Sequence, residues 1–291
     1  MAKARAIIKR RKAVQNIRKI TRTMQLIATA RFQAAYNRAT ATKPYTERIT
    51  ELVEQLSRGA GDIEHPLLRV NTESRRSVLI VITSNRGLCG GYNAAILRSA
   101  LDHLRDREHA GETVDLHVLG RKGTGFFRFL NRPMAVARSG FEDKPLFDDV
   151  NDIAQQMMEA YERRQINSVH VTFMRFISTA VQRVTTLQLL PIERPAAGDG
   201  AARAGEVQYE FTPPAPELLA ELLPETVRVR LFQCFTDAAV SEQVARMVAM
   251  KAATDAAGDM VRSLTQQYNR ARQSQITLEL LDIVSGAEAI K

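Results

Sequence analysis

The side chains best suited to chemistry are few. The turn SNRGLCGGYN (84–93) is rich in glycine and lies between a strand-like and a helix-like stretch, where backbone N–H groups often cradle a phosphate. GLCGG, however, is neither GxGxxG nor GxxxxGK[ST], and no lysine follows to reach a phosphate, so the spacing favours a tight turn that packs a helix onto a sheet. Cys89 stands at that helix start, the placement of a reactive thiol, but no histidine is spaced to activate it. The five histidines, His65, His103, His109, His117 and His170, show no HExxH or paired-ligand spacing, and two cysteines cannot complete a four-ligand zinc site. Asp148–Asp149 and Glu142–Asp143 lie in polar, turn-like stretches and read as solvated helix-start carboxylates. No Ser/His/Asp arrangement is visible. The expectation is a chain that is not an enzyme by itself, with no cofactor and no metal.

The scaffold says more. A chain of 291 residues with 45% hydrophobic and 25% charged side chains has the composition of a globular protein with a real core. No apolar run approaches the length of a membrane span, the best being Val78 to Ile82. The first 31 residues are Arg-rich and acid-free like a mitochondrial presequence, but apolar periodicity runs through them without a cleavage-like break, so they read as mature structure. The net charge of +9 is concentrated at one end: residues 1–48 hold 13 Lys/Arg against one acid, residues 49–239 hold 22 against 25, and residues 240–291 hold six against six. Such a field calls for an acidic partner, whether nucleic acid, anionic lipid or an acidic protein surface.

Glycine and proline divide the chain in three. No glycine precedes Gly59 and no proline follows Pro224, so both ends read as long helices, ~80–87 Å each at ~1.5 Å per residue for residues 3–57 and 228–285. In the first, Ile7, Val14, Ile17, Met24, Ala28 and Ala35 recur at steps of three, four or seven, with Ile20 and Ile27 widening the stripe. In the last, Val240, Val244, Met247, Thr254, Val261, Leu264, Tyr268, Ala271, Gln275 and Leu278 do the same. The two ends therefore predict an antiparallel coiled coil, thin where small residues cluster. Between them, strand signals at 77–84, 113–120, 133–137, 168–176 and 181–190 alternate with helix signals at 93–107, 122–130 and 147–164. That order predicts an α/β fold: a mostly parallel, Rossmann-like sheet with helices on both faces. The boundaries expected are 1–58 for the N-terminal coiled-coil helix, 75–223 for the α/β domain, with 191–216 a loop followed by a helix at 217–223, and 228–288 for the C-terminal coiled-coil helix.

Three stretches carry a resemblance. IKRRKAVQNIRKITRTMQLIATARF, SNRGLCGGYN and ARMVAMKAATDAAGDMVRSLTQQYNRARQSQITLELLDIVSGA resemble, in this order and at these separations, the gamma subunit of F-type ATP synthase, and weaker matches extend the likeness over the whole chain. The resemblance implies the central stalk of a rotary, proton-translocating motor. Its coiled coil would thread the ring of alpha and beta subunits, and its α/β domain would sit with the epsilon subunit on the membrane c-ring, one copy per complex. No nucleic acid partner is implied, and catalysis would reside on beta. The basic end, including Arg10 and Arg11, would face acidic segments of beta. Met24 matches the Met of the family's I-T-K-A-M segment at the rotor–beta contact. Arg272 and Gln273 match its A-R-Q pair, which hydrogen-bonds a beta loop, and Thr277 matches the nearby Thr. Tyr209, Glu210 and Thr212 fall in the family's Y-x-Y/F-E-P stretch facing the c-ring, with Thr212 replacing the acid. The location implied is peripheral, on the cytoplasmic side of a bacterial inner membrane, with the matrix side of the mitochondrial inner membrane as the alternative. Two readings from other classes are a basic coiled coil that binds nucleic acid and a nucleotide-dependent enzyme built on the 85–93 turn.

Overall fold

The computed structural model describes residues 2–59, 65–140, 144–192 and 214–288. Two helices bracket the chain: α1, Ala2–Gly59, and α5, Ala215–Glu288. Between them run β1 (Arg76–Ile82), α2 (Tyr92–His109), β2 (Thr113–Leu119), α3 (Arg121–Phe129), β3 (Val136–Arg138), α4 (Phe147–Glu162), β4 (Ser168–Phe176) and β5 (Gln182–Leu190). The chain divides into two compact units, one of residues 31–245 and one pairing residues 1–30 with 246–291.

In the larger unit the strands stand in the order β3-β2-β1-β4-β5. β1 pairs in parallel with β2 and β4, β2 in parallel with β3, and only β5 runs antiparallel, against β4. β1 is covered on both faces, and a strand so covered must read as a continuous apolar run, as Val78–Ile82 does. Its side chains alternate between two cores. Val78, Ile80 and Ile82, with Val169, Val171 and Phe173 of β4, meet α4, the Ile49–Leu56 stretch of α1 and the Leu219–Ala238 stretch of α5. Leu79 and Val81 meet Ile96, Leu97, Ala100 and Leu104 of α2 and Phe127 of α3. This is the α/β class that the alternating signals predict.

Two expected boundaries move. The helix at 217–223 and the helix from 228 are one element, with Pro224 inside it. The proline removes one N–H from the ladder and clashes with the preceding turn, a cost of about 3 kcal/mol in a helix interior. Leu219, Leu223 and Val227, all fully buried, hold the helical phase on either side of it. β3 begins at Val136 rather than at Pro133, because a proline has no N–H to give a ladder and only Ala135 N–H makes the first bond to β2, to the Leu116 carbonyl at 2.9 Å.

The α2-facing side of β4 and β5 is polar. Thr172 and Thr186 share a hydroxyl bond of 2.9 Å, and the Arg107 guanidinium lies 2.9 Å from Nε2 of the buried His170. A guanidinium only donates, so Nε2 must accept and His170 must be neutral. The His103 ring lies 4.6 Å from the His170 ring, centroid to centroid. Burial first, then the charge of Arg107, then His103, push the His170 pKa down to about 3.

A histidine whose folded pKa lies below its unfolded value stabilises the fold fully above the unfolded pKa, and loses that contribution as pH falls toward the folded one. Between pH 6.5 and about 3, the native chain should therefore lose stability with a slope to which His170 contributes about one proton. His170→Gln should reduce that slope relative to the parent protein in urea titrations repeated across the same window. Equal slopes would show that the native ring titrates normally.

Candidate functional site

The turn at 83–91 follows β1 where the chain order reverses between β1 and β4, the usual ligand crevice of an open α/β sheet. The turn leads into α2 and is bonded to the start of α3 beside it: Arg121 N–H donates to Asn85 Oδ1 at 3.1 Å, Lys122 N–H to the Ser84 carbonyl at 3.1 Å and Gly123 N–H to Thr83 Oγ1 at 3.0 Å. At the start of α2, Asn93 accepts from Ser84 N–H at 3.0 Å and donates to Ser84 Oγ at 2.7 Å and to Cys89 Sγ at 3.2 Å. Cys89 is 2% exposed, so the thiol is a packing group. Gly120 has φ +106°, and a Cβ there would stand 2.1 Å from the Thr83 carbonyl oxygen. Gly120 thus serves close packing of β1's end against α3, whereas in the turn itself Gly90 is called for by its φ of +57° and a Cβ on Gly91 would meet nothing within 4 Å. Among the described residues no group of His, Cys, Asp and Glu could hold a metal ion.

Adhesive surface lies instead on the helix pair of the smaller unit. Thr21 lies against Thr254, Arg18 beside Gly258 and Arg11 over Tyr268, so as α1 advances α5 retreats and the pair is antiparallel. The seam of α1 is Ile7, Arg11, Val14, Arg18, Thr21, Gln25 and Ala28; that of α5 is Met250, Thr254, Ala257, Val261, Leu264, Tyr268, Ala271 and Gln275. Both repeat at alternating steps of three and four, the coiled-coil spacing.

This corrects the expected stripe on α1. Ile17 (52% exposed), Ile20 (55%), Met24 (37%) and Ile27 (49%) lie on one flank of the helix, outside the seam. They too repeat at steps of three and four, so periodicity alone does not say which line faces the partner helix. Small residues decide it: Ala28, Ala257 and Gly258 let the backbones close together, and bulky isoleucines would hold them apart. The expected Leu278 is likewise outside the seam. Arg11 pairs with Tyr268, and only nine residues of α1 precede Arg11, so α1 runs out about nine residues beyond Tyr268. From Ile276 to Gly286 every side chain of α5 is exposed, including Leu278, Leu280, Leu281, Ile283 and Val284. Composition held the clue in LELLDIV, an apolar run opposite no partner. No described helix is long and apolar enough to cross a membrane. The uncovered apolar groups form a surface of the kind that marks an interaction site.

Comparison with known proteins gives this arrangement its family. The chain matches the family described as ATP synthase over residues 3–290. It is 45% identical to the ATP synthase gamma chain of Rhodopirellula baltica over the full length of both, and 38% identical to that of Leptospira biflexa, again over both full lengths. The chain belongs to the ATP synthase gamma chain family. Its fold matches a chain in the structure of the Euglena gracilis mitochondrial ATP synthase, OSCP/F1/c-ring, with a TM-score of 0.71 at 16% identity, covering 99% of this chain and 95% of the other. A chain of the Tetrahymena thermophila mitochondrial ATP synthase central stalk and c-ring matches with a TM-score of 0.58 at 18% identity, covering 80% and 99%.

The residues matching gamma-chain motifs fall largely on the helix pair. Met24 is part of the exposed flank stripe, and Arg10 is exposed on the same helix. Arg11 is half-buried, its guanidinium 5.5 Å from the centre of the Tyr268 ring, so it is drawn inward toward α5. Arg272 and Gln273 are exposed, one and two residues past the half-buried Ala271, and Thr277 Oγ1 donates to the Gln273 carbonyl at 3.0 Å. Tyr209, Glu210 and Thr212 lie outside the described residues. Sequence reasoning missed Ile17, Ile20 and Ile27 as surface and did not single out Leu280, Leu281, Ile283 and Val284.

Gly120→Ala should destabilise the α/β unit by more than about 2 kcal/mol, since a Cβ collides with backbone at a φ that side chains avoid. Urea unfolding followed at a probe in that unit checks it; a midpoint shift within error would show that the turn relaxes freely.

Proposed function

We propose that the chain is the central-stalk rotor of a proton-translocating F-type ATP synthase, a mechanical and regulatory subunit whose catalytic partners are the beta subunits. The helix pair enters the ring of alternating alpha and beta subunits, and the α/β unit meets the epsilon subunit and the c-ring, one copy per complex. Proton flow turns the c-ring and the chain with it. The chain's unequal faces then favour different conformations of successive beta subunits, because a shaft can bias an equilibrium only by binding its states unequally.

The observation that carries this reading is the uncovered apolar surface of the helix pair, Ile17, Ile20, Met24 and Ile27 on α1 and Leu278 to Val284 on α5, beside exposed Lys9, Arg10, Lys12, Lys19 and Arg22. The α1 stripe, flanked by positive charge, suits a protein ring with an acidic lining, where each buried aliphatic side chain contributes about 1.5–3 kcal/mol; the α5 stretch carries its own Glu279 and Asp282 and offers apolar contact alone. A duplex nucleic acid would give the isoleucines nothing to bury against. Within this reading Met24, Arg10 and Arg11 face beta, as do Arg272, Gln273 and Thr277, while Tyr209, Glu210 and Thr212 face the c-ring. The full-length bacterial relatives support a place on the cytoplasmic side of a bacterial inner membrane, held there through the c-ring.

The direct test mixes the purified chain with alpha and beta subunits, isolates any complex by size and compares ATP hydrolysis with alpha and beta alone. One copy per three beta subunits, with hydrolysis dependent on the chain, is the expected result; failure to associate, together with salt-dependent DNA binding, would replace the rotor reading with the nucleic-acid one. In the same complex, Arg272→Ala combined with Gln273→Ala should lower hydrolysis at least several-fold with helix content unchanged by circular dichroism. Unchanged turnover would remove these two side chains from the beta contact.

A further inference from the structure

The α/β unit holds a cavity of about 410 Å³ between α1, the β4–β5 hairpin and α5. Its walls are largely apolar: Tyr36 of α1, Phe173 and Phe176 of β4, Ile177 just beyond them and Leu187 of β5. The Tyr36 and Phe176 rings meet edge to face with centroids 5.9 Å apart, yet Tyr36 is 38% exposed, so part of an aromatic surface stays open. The space exists because small side chains stand where the three elements come together, Ala39 on α1, Thr185 on β5 and Cys234 on α5.

Charge is placed on the same walls. Arg175 and Arg230 line the cavity, and among the described residues neither makes an ion pair. Asp237 lines it too, its carboxylate accepting from Gln233 Nε2 at 2.8 Å. Burial first, then the charge of Asp237, push the Cys234 thiol up, while Arg175 and Arg230 act in the opposite sense, so all three charges gather around one residue of the wall. A cavity of this size, apolar in the main with a few convergent polar groups, is the form that small-molecule sites take.

We propose that this cavity binds a small organic carboxylate with a flat, apolar body. Two guanidinium groups outnumber the single carboxylate beside them, and that carboxylate already accepts from an amide, so one further negative charge balances the set. A phosphate ester carries close to two negative charges and would repel Asp237, which selects a carboxylate over a phosphate. A bare inorganic anion would leave Tyr36, Phe176 and Ile177 in water, so the apolar body is as much a part of the ligand as its acid. A planar ring suits that body, because Tyr36 and Phe176 can take it offset or edge to face at the usual ring spacing of about 4.5–7 Å. The site does not depend on the rotor reading.

The test uses indole-3-propionate and its uncharged amide in saturation-transfer NMR titrations of the full chain. The acid should saturate with a Kd of about a millimolar or tighter, as suits a ligand of its size. The amide should bind at least about tenfold more weakly, since it loses the charge-assisted bonds. Arg175→Gln with Arg230→Gln should abolish the difference between acid and amide while leaving the urea midpoint of the α/β unit unchanged. Thr185→Phe, which fills the cavity from β5 and keeps both arginines, should abolish the binding of both ligands. Equal affinity for acid and amide in the parent chain overturns the proposal. So does undiminished binding to the Thr185→Phe chain, which would place the ring on the exposed isoleucines of the helix pair. Displacement of the indole acid by inorganic phosphate overturns the choice of carboxylate. Repeated on the complex with alpha and beta, the titration should give the same Kd; its loss there would make the cavity a contact with another subunit and not a ligand site.

Discussion

Two helices that meet through small side chains come close but bury little, and much of what is distinctive in the smaller unit follows from that. At Ala28 and Ala257 the seam removes methyl groups from water rather than leucines. A buried methyl contributes about 0.8 kcal/mol where a large aliphatic contributes about 1.5–3. The larger apolar residues of α1 are turned to one flank instead, and those at the end of α5 are exposed. A coiled coil built for its own stability would reverse this arrangement. One built to be gripped by other proteins turns its bulky groups outward, and fills its interior with side chains that set a close spacing. Arg11, Arg18 and Gln25 occupy seam positions where a self-sufficient coil would carry leucine or isoleucine.

The α/β unit shows the opposite allocation. Its sheet is flanked by two separate cores, with β1 buried along nearly its whole length. Beyond the end of β1, Asn85, Ser84 and Thr83 bond the first N–H groups of α3. Gly120 and Gly123 let the turn of α3 press against Thr83, where a Cβ would collide. The glycines of the turn that opens α2 serve differently: Gly90 supplies a φ of +57°.

The polar layer between α2 and the β4–β5 pair adds a specificity that apolar packing lacks. The Arg107–His170 bond and the 3.5 Å approach of Ser99 Oγ to Thr186 Oγ1 form only when α2 sits at one position along the sheet. Directional bonds at a few buried positions thereby select one arrangement among several that hydrophobic burial would accept almost equally.

Much of this was legible from residue types alone. The absence of glycine before Gly59 and of proline after Pro224 announced two long helices, and the alternation of β-branched runs with helical periodicity announced a mostly parallel sheet, because backbone conformation is a local property that each residue biases for itself. The motifs IKRRKAVQNIRKITRTM and ARMVAMKAATDAAGDM were long enough to point to the family. Three things belonged to tertiary structure. Pro224 read as a break, and only burial of Leu219, Leu223 and Val227 against the sheet made the helix continuous. SNRGLCGGYN read as a tight packing turn, but that Thr83 and Asn85 reach α3 from it came only from the fold. On α1, two stripes of equal period competed for the seam, and the choice of Val14, Thr21 and Ala28 over Ile17, Met24 and Ile27 depended on the facing residues of α5, more than two hundred positions away in the chain. Sequence period determines that a helix has a face; which of two faces is buried depends on how closely a distant partner lets the backbones approach, and that distance exists only in the folded chain.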